Sequence, residues 1–353
     1  MGRILSQNRR RITSKRIKFL LHEIIPIFFT IFLVLILEWV LIPLIVNQST
    51  GMFGFIFHYI RAIVIFLVII LVLFISNKYQ TKNTKQSEEH IAGHIGFLKL
   101  YNVNRKNYKY QLLYSILLFF LLLVPLGFLM FITEPNAVPY RAFSQLINNE
   151  NSYLLVDNFA LFLLYSVIIQ FSISFSEETI FRGLITKRGS EYFNKLSAVM
   201  ISTFCFTFID FFLNPFSFLI SFHSGIVWFC RSFIIGLVFS LTITRRKWLI
   251  PLIISRTLDS VISNVIIWDF LRGGNYIQLL FFIYIPLLLI SIILLILQRS
   301  RVKESLQIGI KMIKSYFSND IKLEKSKGDK VFRILFDIIF AFILFLFGIL
   351  ISV

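Results

Sequence analysis

Residues 111–133 read QLLYSILLFFLLLVPLGFLMFIT, a stretch without one charged side chain. At a helical rise of about 1.5 Å per residue it is long enough to cross the roughly 30 Å hydrocarbon core of a bilayer. Working outward, about nine such stretches appear, near 19–46, 53–76, 111–133, 153–175, 195–213, 226–244, 248–268, 276–297 and 331–353. The segment from Pro215 to Gly225 reads as a re-entrant piece or a loop, so the expected count is eight or nine. Of the 353 residues, 57% are hydrophobic and 15% charged, more apolar surface than a soluble fold of this size needs. The expectation is an all-α, polytopic integral membrane protein. The first stretch is too long for a signal-peptide core and no small-residue cleavage site follows, so it reads as a retained anchor. Cys205 and Cys230 both lie in apolar runs, which excludes a disulfide framework and suits small core residues.

Charge gives the orientation. There are 36 Lys and Arg against 18 Asp and Glu, a formal net charge of +18. All but six of those cations fall in residues 1–18, 77–110, 182–195, 245–247 and 298–330; the exceptions are Arg141 and Arg272 in the alternate loops and Arg61, Arg231, Arg256 and Arg333 within spans. Lys and Arg at span ends gather on the cytoplasmic side. Nine spans with a cytoplasmic N-terminus satisfy every loop, so the charge reads as topology plus a grip on anionic lipid headgroups. No nucleic acid partner is needed. Glu88, Glu89, His90 and His94 read as a solvated connector rather than a metal site, and Ser305 to Tyr316 as a weakly amphipathic helix on the inner surface.

Ionisable residues inside a bilayer are costly and mark paired or functional sites. Here they are Glu177, Glu178, Arg182, Asp210, Arg231, Arg256 and Asp259, while Glu23, Glu38 and Asp157 fall nearer span ends, where interfacial exposure accounts for them. Counted from the basic flanks, Glu177 and Glu178 lie about 15 Å deep, Asp259 about 18 Å and Asp210 about 22 Å. Carboxylates from three helices at one level suggest one polar cavity. Glu178 and Arg182 are i, i+4 and share a face, Glu177 turns about 100° away, and Ser255 and Asp259 form a second i, i+4 stripe. An unpaired carboxylate in a low-dielectric cavity suits a general base acting on water. The same residues equally suit a buried ion-pair network that only holds helices together.

The stretch Ser176-Glu177-Glu178-Thr179-Ile180-Phe181-Arg182-Gly183 resembles the EExxxR motif of the CPBP family of intramembrane proteases, which includes the CAAX prenyl endopeptidases and the Abi proteins of bacteriocin immunity. The resemblance covers roughly 150–270. Phe206 to Asp210 stands where that family has FxxxH, and Ser255 to Asp259, after Pro251, stands where it has HxxxN. Both motif histidines and the asparagine are thus replaced, by Asp210, Ser255 and Asp259. In the family the leading glutamate is taken to activate water, with the other motif residues assisting around a metal ion or polarising the scissile carbonyl. The resemblance therefore implies Glu177 as base, Glu178 paired with Arg182, and Asp210, Ser255 and Asp259 lining the cavity. Ionised aspartates repel an oxyanion but suit a hard divalent ion better than zinc. Arg256 offers an alternative oxyanion donor, although it faces off the Ser255/Asp259 stripe, and His223 is a candidate displaced ligand.

The organisation expected is a basic cytoplasmic arm (1–18), N-terminal spans (19–133) with a cytoplasmic loop (77–110), a CPBP-like core (150–270), and C-terminal spans (271–353) with a basic loop (298–330). Three functions follow: an endopeptidase acting on membrane-bound or lipidated polypeptides, a non-catalytic scaffold that binds and stabilises another membrane protein, and a proton- or cation-coupled transporter.

Overall fold

The computed structural model describes residues 2–48, 50–83, 93–134, 136–146, 149–213, 222–318 and 327–352. Among the described residues every regular element is helical. Nine helices there are long and apolar enough to cross a membrane: Ile12–Ile45, Gly51–Lys78, Tyr108–Thr133, Phe159–Tyr192, Lys195–Phe212, Gly225–Arg246, Ile250–Leu271, Tyr276–Leu297 and Lys327–Ile349. The all-α polytopic architecture read from the sequence is what the chain adopts. We refer to these helices as spans one to nine. Most of the Pro215 to Gly225 segment (residues 215–221), Glu88 to His90 and the side chain of His223 lie outside the described residues.

Two spans run with π-helical turns that the sequence explains. Leu20–Ile24 and Phe119–Leu123 are π-helical, and each is followed at once by a proline, Pro26 and Pro125, at the start of the next α-helical segment. Proline donates no backbone N–H, so the preceding turn is left to re-register, and a π-turn does so without breaking the helix. Span four differs from expectation at both ends. Tyr153 belongs to a 3-10 turn, Asn149–Leu155, and the helix begins at Phe159, capped by Asn158, whose side chain accepts from Leu161 N at 3.1 Å. It then continues past Glu178 through a π-helical segment, Thr179–Arg188. Gly183 lets this wide segment close on its neighbour, because a Cβ there would meet the Phe97 ring at 2.8 Å.

Spans four and seven pack side by side, span five packs against six and nine, and span two against span four. A third element reaches this core from the loop between spans three and four, the short helix Ala137–Leu146, which packs on span seven.

The basic arm makes a long-range contact, and two expectations about charge, at Glu23 and Glu38, are corrected. The helix Gly2–Phe19 carries the arm continuously into span one and docks it on span nine: Arg16 is buried, with Nε donating to Asp337 Oδ1 at 2.8 Å, while Tyr316 donates to Asp337 Oδ2 at 3.1 Å. Glu23 is fully buried, not interfacial, because Arg188 crosses to it with Nε at 2.9 Å and Nη2 at 2.6 Å, joined by the Tyr192 hydroxyl at 2.6 Å. Glu38 is also buried, within electrostatic reach of Arg61 on span two. Asp157, by contrast, is exposed, with Arg272 3.3 Å away. Of the two cysteines, Cys205 is in the core and Cys230 is exposed on span six; both are free thiols.

Candidate active site

The twin glutamates end the α-helical part of span four, and their side chains part company there. Glu178 faces the interior beside Arg182, with Oε2 3.2 Å from Nε and both side chains wholly buried. Burying a charge in hydrocarbon requires neutralisation, and here aromatic faces add to the ion pair: the Arg182 guanidinium lies 4.3 Å from the Phe206 ring centroid and 5.5 Å from that of Phe239. This pair ties span four to spans five and six.

Glu177 points the other way and is a third exposed. Its neighbour is Arg256 of span seven, with Nε 3.7 Å from Oε2, too long for a hydrogen bond. The same guanidinium stands 3.9 Å from Asp259 Oδ2, on the next turn of span seven. Asp259 is held from the other side by Arg231 of span six, Nη2 to Oδ2 at 2.7 Å. Asp210, on span five, accepts from the Ser232 hydroxyl of span six. Ser255 is completely buried and its hydroxyl donates to Leu252 O at 3.0 Å, so it serves its own helix rather than a ligand. Glu177, Asp210 and Asp259 all lie within electrostatic reach of Arg256, and these three carboxylates belong to one polar cluster.

Arg141 joins them, and the sequence placed it in a loop. From Ala137–Leu146 its Nη1 donates to Ser263 Oγ of span seven at 2.5 Å, and its guanidinium lies 5.6 Å from the Trp228 ring centroid. Burial and the nearby Arg231 pull Arg141 below the usual arginine range, with Asp210 and Asp259 opposing. A loop cation shows its destination only once the chain has folded back. The one signal in the sequence was that Arg141 is one of two cations outside the basic segments and the spans.

The donor set does not fit a divalent ion. Among the described residues no three His, Cys, Asp or Glu side chains group to hold a metal. The reason is visible: Arg256 and Arg231 occupy the space between the carboxylates, and a cation there would meet guanidinium groups rather than open lone pairs. The expectation of a hard-metal site is set aside on that geometry.

No curated protein and no solved structure matches the chain. Residues 158–262 match the family model described as type II CAAX prenyl endopeptidase Rce1-like. The match opens at the Asn158 cap of span four and closes on span seven, so it takes in Glu177, Glu178, Arg182, Asp210, Ser255 and Asp259. The similarity to the CAAX prenyl endopeptidase-like, or CPBP, family thus covers this four-span core, under a third of the chain.

Proposed function

We propose that the chain is a CPBP-type intramembrane endopeptidase acting on a membrane-bound or lipidated polypeptide, with its N-terminus in the cytoplasm. The observation that carries this reading is Glu177, a carboxylate a third open to its surroundings whose ion pair with Arg256 is too long to be a hydrogen bond. Glu177 accepts a proton from water as the water oxygen bonds to the scissile carbonyl carbon. The carbonyl electron pair moves onto its oxygen, where Arg256 donates in place of the absent histidines. The C–N bond then breaks and the proton passes from Glu177 to the leaving nitrogen. General-base catalysis of this kind contributes about 10²–10⁴-fold, and one oxyanion donor about 10²–10³-fold.

A second reading, a non-catalytic scaffold for another membrane protein, is favoured by the pairing of the remaining charges, Glu178 with Arg182 and Asp259 with Arg231. Glu177→Gln separates the two. In proteoliposomes containing a membrane peptide, the endopeptidase reading expects cleavage to fall by about 10³-fold while the protein stays folded, and Arg256→Gln to lower kcat more than it alters KM. A variant cleaving like the wild type removes Glu177 from the chemistry. A wild type that cleaves nothing but retains a partner on purification gives the site to the scaffold.

A further inference from the structure

Hydrolysis consumes one water for every bond cut, and a base buried in a bilayer needs a route for that water. Span seven carries Ser255, Asp259 and Ser263 at successive i, i+4 positions, all buried, so one polar stripe runs along it, met by Arg231 of span six and by Arg141 of the short helix Ala137–Leu146. Its far end meets Arg141, which is partly exposed and comes from the loop side of the bundle. Its near end meets Arg256 and, through it, Glu177. Along this line the polar contacts are incomplete in a particular way. Arg231 Nε is buried with no hydrogen-bond partner, and both Arg256 ion pairs are longer than 3.5 Å. Unfilled donors and stretched polar contacts in an interior are where bridging waters sit.

We propose that Arg141, Ser263, Asp259, Arg231 and Arg256 form a file of water sites leading to Glu177 from the face of the bundle that carries residues 137–157. The charged ends favour water over lipid, and Ser263 stands one helical turn beyond Asp259 as the hydroxyl step between Arg141 and the buried pair. The assignment rests on the hydrolytic reading for its purpose but not for its test.

The test replaces Cys205 and Cys230 with alanine and introduces Ser263→Cys, a near-isosteric change, or Ser232→Cys as a second probe beside Asp210. Asp157→Cys, fully exposed, reports which face of the liposome is presented, and Ser291→Cys, buried against Phe120 O, is the dry control. Silver ion, water-borne and small, is added to one face, and thiols left unblocked are counted with a maleimide after denaturation. The file predicts that Ser263→Cys and Ser232→Cys are blocked from the same face as Asp157→Cys, at least tenfold faster than Ser291→Cys. Blocking only from the opposite face, or at the rate of Ser291→Cys, overturns it. Blocking from the expected face in a protein that cleaves nothing leaves the file standing and removes the hydrolase. Cleavage that depends on Glu177 in a protein with unreactive Ser263→Cys does the reverse.

Discussion

Glu23 accepts hydrogen bonds from Arg188 Nε and Nη2 and from the Tyr192 hydroxyl, and is wholly buried, whereas Glu177 has one ion pair, at 3.7 Å, and a third of its side chain open. Both are glutamates on apolar helices, so residue type and hydropathy do not tell them apart. What differs is saturation. A carboxylate held by three donors has most of its acceptor sites engaged, which makes it a fastener between span one and the end of span four. A carboxylate with one loose partner keeps its capacity to take a proton, which is what a base needs.

The contrast is most exposed to a stability measurement on the fastener. Glu23→Ala leaves Arg188 with its Glu191 pair, a contact to Asn77 and the face of the Tyr192 ring, and should cost about 3–5 kcal/mol, read as the shift in unfolding free energy in detergent. Glu177→Ala should cost less than about 1 kcal/mol by the same measurement, as loose or exposed pairs do. Equal losses at the two positions would erase the distinction. Next in size, removing one partner of the Arg231–Asp259 pair should cost about 2–4 kcal/mol and removing both less than the sum. Additive losses in that double-mutant cycle would show that the 2.7 Å contact carries no coupling. A smaller effect, about 1 kcal/mol, is expected for Tyr101→Phe, whose hydroxyl lies 2.6 Å from Thr179 Oγ1 at the start of the π-helical segment.

The smallest effect is one of pH. Glu150, in the 3-10 turn outside the spans, is pushed above the usual carboxylate range by burial, with Arg61 opposing. The folded protein therefore holds that proton more tightly than the unfolded chain does. The resulting stabilisation is present below the ordinary carboxylate range and is lost as pH rises through the raised value. Glu150→Gln, which imitates the protonated form, should match the wild type in acid and exceed it near neutrality. Identical unfolding curves at both pH values would end that assignment.

How much was legible in the sequence follows from which interactions are local. The spans are local: apolar runs such as 111–133 declare themselves, and the helices lie where those runs predict, to within a few residues except at spans one and four. The Glu178–Arg182 pair is local too, because i, i+4 is a contact within one helix. Glu23 and Glu38 misled because distance from a span end measures depth along one helix, while burial depends on what packs beside it. Arg188 reaches Glu23 across 165 residues of chain, and no pattern in either segment announces the partner. Arg141 was missed for the same reason, since its helix is too short and polar to read as part of a membrane core. The replaced histidines were visible as letters, yet the arginines that stand between the carboxylates in their absence emerged only from the packing of spans six and seven.

The docking of the first helix on the last also sets an order of assembly. Arg16 finds its buried carboxylate in Asp337, 321 residues further along the chain. A ribosome must therefore reach Asp337 before that ion pair forms, and at every earlier stage of synthesis the contact between spans one and nine is unmade. The bundle closes like a ring with this contact as its clasp, and a chain shortened before Lys327 has no means of fastening it.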